Sequence, residues 1–156
     1  PYFKNYGKRL VKTPKLYFID SSIVCALTRQ PGGKSTLSGA MGGAIFEGFI
    51  VNEAIKVFSM RGRRANMFFW RSHDGLEVGL ILQIGTKLHP VEIKLTATPT
   101  LRHTDPLNKF KALAGKDAAE NGLLVCRVEK DTPLPSNNKA IPWHSFPKWL
   151  LSKLEN

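Results

Sequence analysis

Glu92 and Lys94, two residues apart in PVEIKLT, are the side chains of this sequence best suited to chemistry. In an extended strand, alternation carries both to one face, while Val91, Ile93 and Leu95 turn to the other. A carboxylate able to hold a cation, beside an ammonium able to meet a phosphate, is what metal-assisted phosphodiester hydrolysis requires. Mg²⁺ prefers several oxygen ligands in octahedral geometry and so needs further acids. Glu47 interrupts the apolar side of an upstream helical pattern and could supply one, and Glu77 in LEVGLILQI another. An aspartate at position 79 of that strand would complete the set, yet glycine stands there. By itself E-x-K is a weak signal, since Glu and Lys two apart recur on solvated strand faces. The apolar alternation around it, after a hairpin and before a helix, gives it weight.

Periodicity supplies the elements that must hold these residues. AIFEGFIVNEAIKVFS, residues 44–59, repeats apolar side chains at three-four spacing and predicts an amphipathic helix. NMFFWRS predicts a strand, HDG a tight turn, LEVGLILQI a second strand, and LHPVEIKL a third with Pro90 near its start. Residues 105–122 predict a helix with Asp105 as N-cap, Pro106 in the first turn, and Leu107, Phe110 and Leu113 inward. GLLVCRV reads as a strand buried on both faces, EKDTPLPSNNK as a surface loop, and IPWHSFPKWLLSKLEN as a short strand and a terminal helix. Upstream, LYFID predicts a short buried strand, and Asp20 caps a brief helix ending near Arg29. RQPGGKSTLSGAMGG predicts a flexible loop. Its GGKST lacks the glycine that a phosphate loop needs at position 28, where Thr stands. The order helix, three strands, helix, strand predicts an α/β fold, a mixed central sheet flanked by helices.

With 156 residues the chain suits one domain, here residues 16–156, preceded by a basic connector over 1–15. That arm carries five Lys or Arg, no acid, and the aromatics Tyr2, Phe3 and Tyr6. The net charge of +11 favours a polyanionic partner, nucleic acid and DNA first, over an acidic small molecule; the alternative is a solubilising surface. Arg61, Arg63, Arg64 and Arg71 are the candidate phosphate contacts. Trp70 fits either base stacking or core packing. Cys25 and Cys126 lie in apolar runs and read as small buried hydrophobes, suiting a reducing cytoplasm. No 18-residue apolar stretch predicts a membrane span. His73, His89, His103 and His144 show no ligand spacing and read as surface or loop residues. Beginning with Pro, the chain is expected to be a fragment of something longer.

PYFKNYGKRLVKTPKLYFID, GAIFEGFIVNE, FFWRSHDGLEVGLIL, PVEIK and IPWHSF, in that order, resemble the domain of unknown function 4143. The likeness spans nearly the whole chain, with KTPKLYFID, the E-V-x strand and P-V-E-I-K its most specific parts. It implies a restriction endonuclease-like, PD-(D/E)xK core, usually the carboxy-terminal part of an AAA+ ATPase after a winged-helix segment. Glu47 then resembles the acid on the first core helix, and Glu92 and Lys94 the E-x-K pair. The family pattern reads E-V-D where Glu77-Val78-Gly79 stands, so the metal-bridging aspartate of active members is missing. One unit charge at about 4 Å and an effective dielectric near 20 is worth roughly 4 kcal/mol before desolvation. The expectation is a degenerate site holding Mg²⁺ or Mn²⁺ weakly, in a nucleic-acid-binding or docking module of a larger ATPase. One alternative is an active Mg²⁺-dependent nuclease using Glu47, Glu77, Glu92 and Lys94, with Glu77 and Glu92 as metal ligands. Another is a protein-interaction domain that binds the upstream ATPase module or a partner and no nucleic acid. No phosphate loop is present, so no ATPase activity is expected of this chain.

Overall fold

A computed structural model describes residues 14–72 and 74–155. Its longest element is α3, Gly42–Met60, which follows two short helices, α1 (Ser21–Leu27) and α2 (Gly33–Ser38). Phe46, Ile50, Ala54, Val57 and Phe58 recur at three-four spacing on α3 and are buried. Gly62, at φ 61°, turns the chain away after the last turn.

Three strands then run antiparallel: β1 (Met67–Arg71), β2 (Glu77–Ile84) and β3 (Lys87–Ile93). Helix α4 (Asp105–Ala114) carries the chain across to β4 (Gly122–Cys126), which lies parallel to β3. β6 (Asn138–Pro142) joins β4 in parallel, and β5 (Thr132–Leu134) closes the edge antiparallel to β6. The six-stranded mixed sheet has the order β1-β2-β3-β4-β6-β5, and helix α5 (Phe146–Glu155) ends the described chain. Ile50, Val57, Leu80, Leu82, Val91, Ile93 and Leu150 form one core between the sheet and the pair α3 and α5. Val78, Ile81, Leu88, Leu107 and Phe110 form a second core under α4. The fold is therefore the predicted α/β one, with helices on both faces of a mixed sheet.

Alternation is broken once on β2. Phe68 lies opposite Ile81 and Trp70 opposite Val78, so two steps on β1 match three on β2. The extra residue falls at Gly79-Leu80, a β-bulge of the kind that re-aims side chains at sheet ends. Pro90 sits inside β3 rather than at its start, but pairing with β4 begins only at Val91. Its missing N–H therefore removes nothing from that ladder.

Four expectations are corrected. Residues 16–20 form no strand: Leu16 and Ile19 are 87% and 81% exposed, so the apolar run meets no sheet. The supposed loop after Arg29 contains α2, closed on one side by Gly32 N–H donating to the Thr36 hydroxyl. Asp105 is the first residue of α4 rather than its cap, Leu113 is exposed, and Ala114 takes the inward position. The surface loop before β6 contains the edge strand β5. Cys126 is buried and Cys25 half-buried, both as free thiols. The arm with Tyr2, Phe3 and Tyr6, and His73 of the hairpin turn, lie outside the described residues.

Gly122 marks where α4 and β6 close on β4. A Cβ there would overlap Asn138 Oδ1 and lie 3.2 Å from Leu107 Cβ. The Asn138 amide cannot swing aside, because its Nδ2 donates to Asn108 Oδ1 at 2.8 Å and to the Pro135 carbonyl at 2.7 Å. Gly122→Ala is expected to cost about 1–3 kcal/mol, read as a lower urea midpoint with unchanged slope.

Candidate functional site

At the open end of the β2–β3 ladder the last paired residues are Leu80 and Val91, and Gly79 and Glu92 follow them. Val91 and Ile93 turn into the α3 and α5 core, so Glu92 and Lys94 share the other face, as their spacing predicts. They form an ion pair at 2.8 Å. The Glu92 side chain is almost wholly buried, at 4% exposed, while Lys94 is half exposed. Where the strands part, the Glu92 carboxylate also accepts a long 3.4 Å hydrogen bond from the Gly79 N–H. Burial pushes the Glu92 carboxyl above the ordinary range, and Lys94 and the Gly79 amide only partly offset it.

Glu47 approaches Gly79 from the other side. A Cβ built on Gly79 would lie 3.4 Å from Glu47 Oε1 and 3.7 Å from its carboxyl carbon. Gly79 thus has one carboxylate at its amide and a second where its side chain would start. An aspartate here would add a third acid between them, which is the arrangement a bridging metal ion would hold together.

In this chain the acids are divided among cations instead. Lys15 reaches Glu47 Oε1 at 3.0 Å and also pairs with Glu77, while its ammonium lies 5.4 Å above the centre of the Phe69 ring. The Tyr17 hydroxyl donates to the same Glu47 oxygen at 2.6 Å. Arg71 Nε donates to the second oxygen of Glu77 at 2.6 Å. Burial would raise the Glu77 carboxyl, but Lys15 and Arg71 outweigh it and hold the group below its usual value. Burial would lower the Lys15 ammonium, and hydrogen bonds to Glu77 and Glu47 reverse that, leaving it raised. Burial and the bond to Glu47 raise the Tyr17 phenol, so it stays a donor.

The sequence-predicted site residues are therefore near one another but do not act as one set. Glu77 is held by Lys15 and Arg71 and does not reach into the space beside Gly79, where only Glu47 lies within 4 Å of a built Cβ. Among the described residues no three His, Cys, Asp or Glu side chains converge as a metal would need. Arg71 belongs to this end of the sheet. Arg61, Arg63 and Arg64 lie beyond the far end of α3, on the order of 20 Å from Glu47 at 1.5 Å rise per residue. Arg61 pairs there with Glu155. Trp70 is a core residue, edge-on to Phe110 at 5.7 Å. Lys15, Tyr17 and Phe69 are the site residues that sequence reasoning missed.

The sequence pattern of the family described as domain of unknown function 4143 matches residues 42–146, which carry Glu47, Gly79, Glu92 and Lys94. The chain belongs to that family. Two relatives are an uncharacterised protein of Mycobacterium bovis and an uncharacterised protein of Mycobacterium tuberculosis, each 26% identical to it over 101 residues. The match covers 65% of this chain and 22% of each relative, so the chain spans about a fifth of the length of the relatives it matches. No solved structure matches it. Among the described residues no helix is long and apolar enough to cross a membrane.

Buried Glu92 and half-buried Glu77 should respond oppositely to pH. The folded state holds the Glu92 proton to higher pH than the unfolded chain does, so its charge costs stability as pH rises above about 4.5. Glu92→Gln is expected to melt higher than the natural protein at pH 7 and to match it at pH 4. Glu77 has a lowered value, so its contribution is present above about 4.5 and lost as pH falls through that lowered value. Glu77→Gln is expected to melt lower at pH 7, with the difference vanishing in acid; calorimetry across pH checks both.

Proposed function

We propose that this family member is a nuclease-fold module that binds nucleic acid, DNA in the first instance, and does not cut it. The observation that carries this reading is the division of acids around Gly79: each carboxylate that would hold a metal has a cation of the chain beside it. A Mg²⁺ or Mn²⁺ ion does not fit that arrangement, because it would have to displace Lys15 and still lack the bridging acid. The α/β core order and the E-x-K pair support kinship with the PD-(D/E)xK superfamily. The relatives' greater length supports a place within a larger protein, for which an AAA+ ATPase is the proposed host.

The most exposed charges at the mouth of the site are cations. Arg71 and Lys94 are each nearly half exposed, although ion-paired with Glu77 and Glu92, and the net charge of the chain is +11. Such groups can meet phosphates without chemistry. A docking reading draws on a different observation, the exposed apolar side chains of Leu16, Ile19, Leu27 and Trp143.

Anisotropy with a labelled duplex separates the two. Binding is expected, and it should weaken steeply from 50 to 200 mM salt as phosphate contacts release counterions. Replacing Arg61, Arg63 and Arg64 together by Ala should reduce the salt slope by about one unit for each phosphate that these side chains neutralise. No binding at 50 mM salt would leave the docking reading standing. Mg²⁺-dependent cutting by the natural protein, abolished by Lys94→Ala, would overturn the degenerate site.

A further inference from the structure

Residues 14–27 lie on the molecule in an unusual way. Helix α1 buries none of its residues, and Leu16, Ile19 and Leu27 are at least two-thirds exposed. The apolar contacts that hold an ordinary helix to a core are therefore mostly missing here. Polar contacts stand in their place, and most are made by α3. Lys15 enters between Glu47 and Glu77, Tyr17 donates to Glu47, and the buried Asn52 amide donates to the Phe18 carbonyl at 2.7 Å. Tyr17 is the one side chain of 14–20 that packs on the main core.

The pocket that receives Lys15 suits an ammonium in particular. Two carboxylates of separate elements, α3 and β2, flank it, and the Phe69 ring lies beneath. An alkylammonium keeps its point charge on a narrow stem that can pass between such groups. We propose that Glu47, Glu77 and the face of Phe69 form a lysine-ammonium pocket, and that Lys15 seated in it latches residues 14–27 as a detachable strap over the acid end of the sheet. The Lys15 ammonium and the Tyr17 phenol meet the same Glu47 oxygen, so the two side chains engage one carboxylate together. When Lys15 leaves, Glu47 keeps, among the described residues, the Tyr17 hydroxyl and Glu77 keeps Arg71, and the strap loses its charged attachment. The latch covers the acid end of the sheet whether or not the domain binds DNA.

Amide hydrogen exchange of the whole chain, resolved by mass spectrometry, tests the latch. Lys15→Met keeps the length of the stem and removes the charge. It is expected to speed exchange across 16–27 by about tenfold or more, while β4, at 122–126, exchanges as in the natural protein. Glu47→Gln, which keeps an oxygen for Tyr17, should speed the same segment to a smaller degree, and it carries the test alone if Lys15→Met does not fold. Unchanged exchange over 16–27 would show that the strap is held without the ammonium. Equal acceleration of β4 would show that Lys15 supports the whole fold rather than a latch. Either result overturns the proposal.

Discussion

A carboxylate withdrawn from water must find a cation, find hydrogen-bond donors, or take up a proton. Three glutamates gather where β2 and β3 separate, and the arrangement at this end of the sheet answers that constraint. Glu92 takes Lys94 and the Gly79 amide, Glu77 takes Arg71 and Lys15, and Glu47 takes Lys15 and Tyr17. A single glycine permits the division. With no side chain at 79, the space between Glu47 and Glu92 carries no third negative charge.

The rest of the fold places these groups without depending on them. α3 and α5 fill one face of the sheet and α4 the other, with apolar side chains in both layers. The β2 bulge falls at the residue that faces Glu47, which brings Gly79 to α3 although Val78 and Ile81 point to α4. The cost of keeping Glu92 nearly dry is borne by a core that is well packed elsewhere, and pairing with a half-exposed Lys94 limits it.

Long periodic segments were legible from the sequence alone. The three-four spacing of α3, the alternation of β3 and the apolar run of β4 each have one low-energy way to bury their side chains, so fold class and the order of the core elements followed. LYFID misled because apolar composition reports what a segment could bury, not whether a sheet edge is there to receive it. The pairing of Glu92 with Lys94 was readable from a spacing of two. Glu47 and Glu77 were recognised as acids, but their partner was not, since Lys15 lies 32 residues from Glu47 in a stretch that reads as a basic connector. Two signals pointed that way: a glycine inside a strand suggests a bulge, and residues two apart, such as Lys15 and Tyr17, would share one side if the chain there were extended.

The chain supplies its own cations to these acids, and the proposed reading is that no divalent ion is held tightly among them. Electron paramagnetic resonance of Mn²⁺ titrated with the natural protein tests this directly, because bound Mn²⁺ loses the sharp signal of the free ion. The expected result is no saturable binding with a dissociation constant below about 1 mM, weaker than roughly 4 kcal/mol of binding free energy. Saturable one-to-one binding tighter than that, abolished by Glu92→Gln, would contradict it.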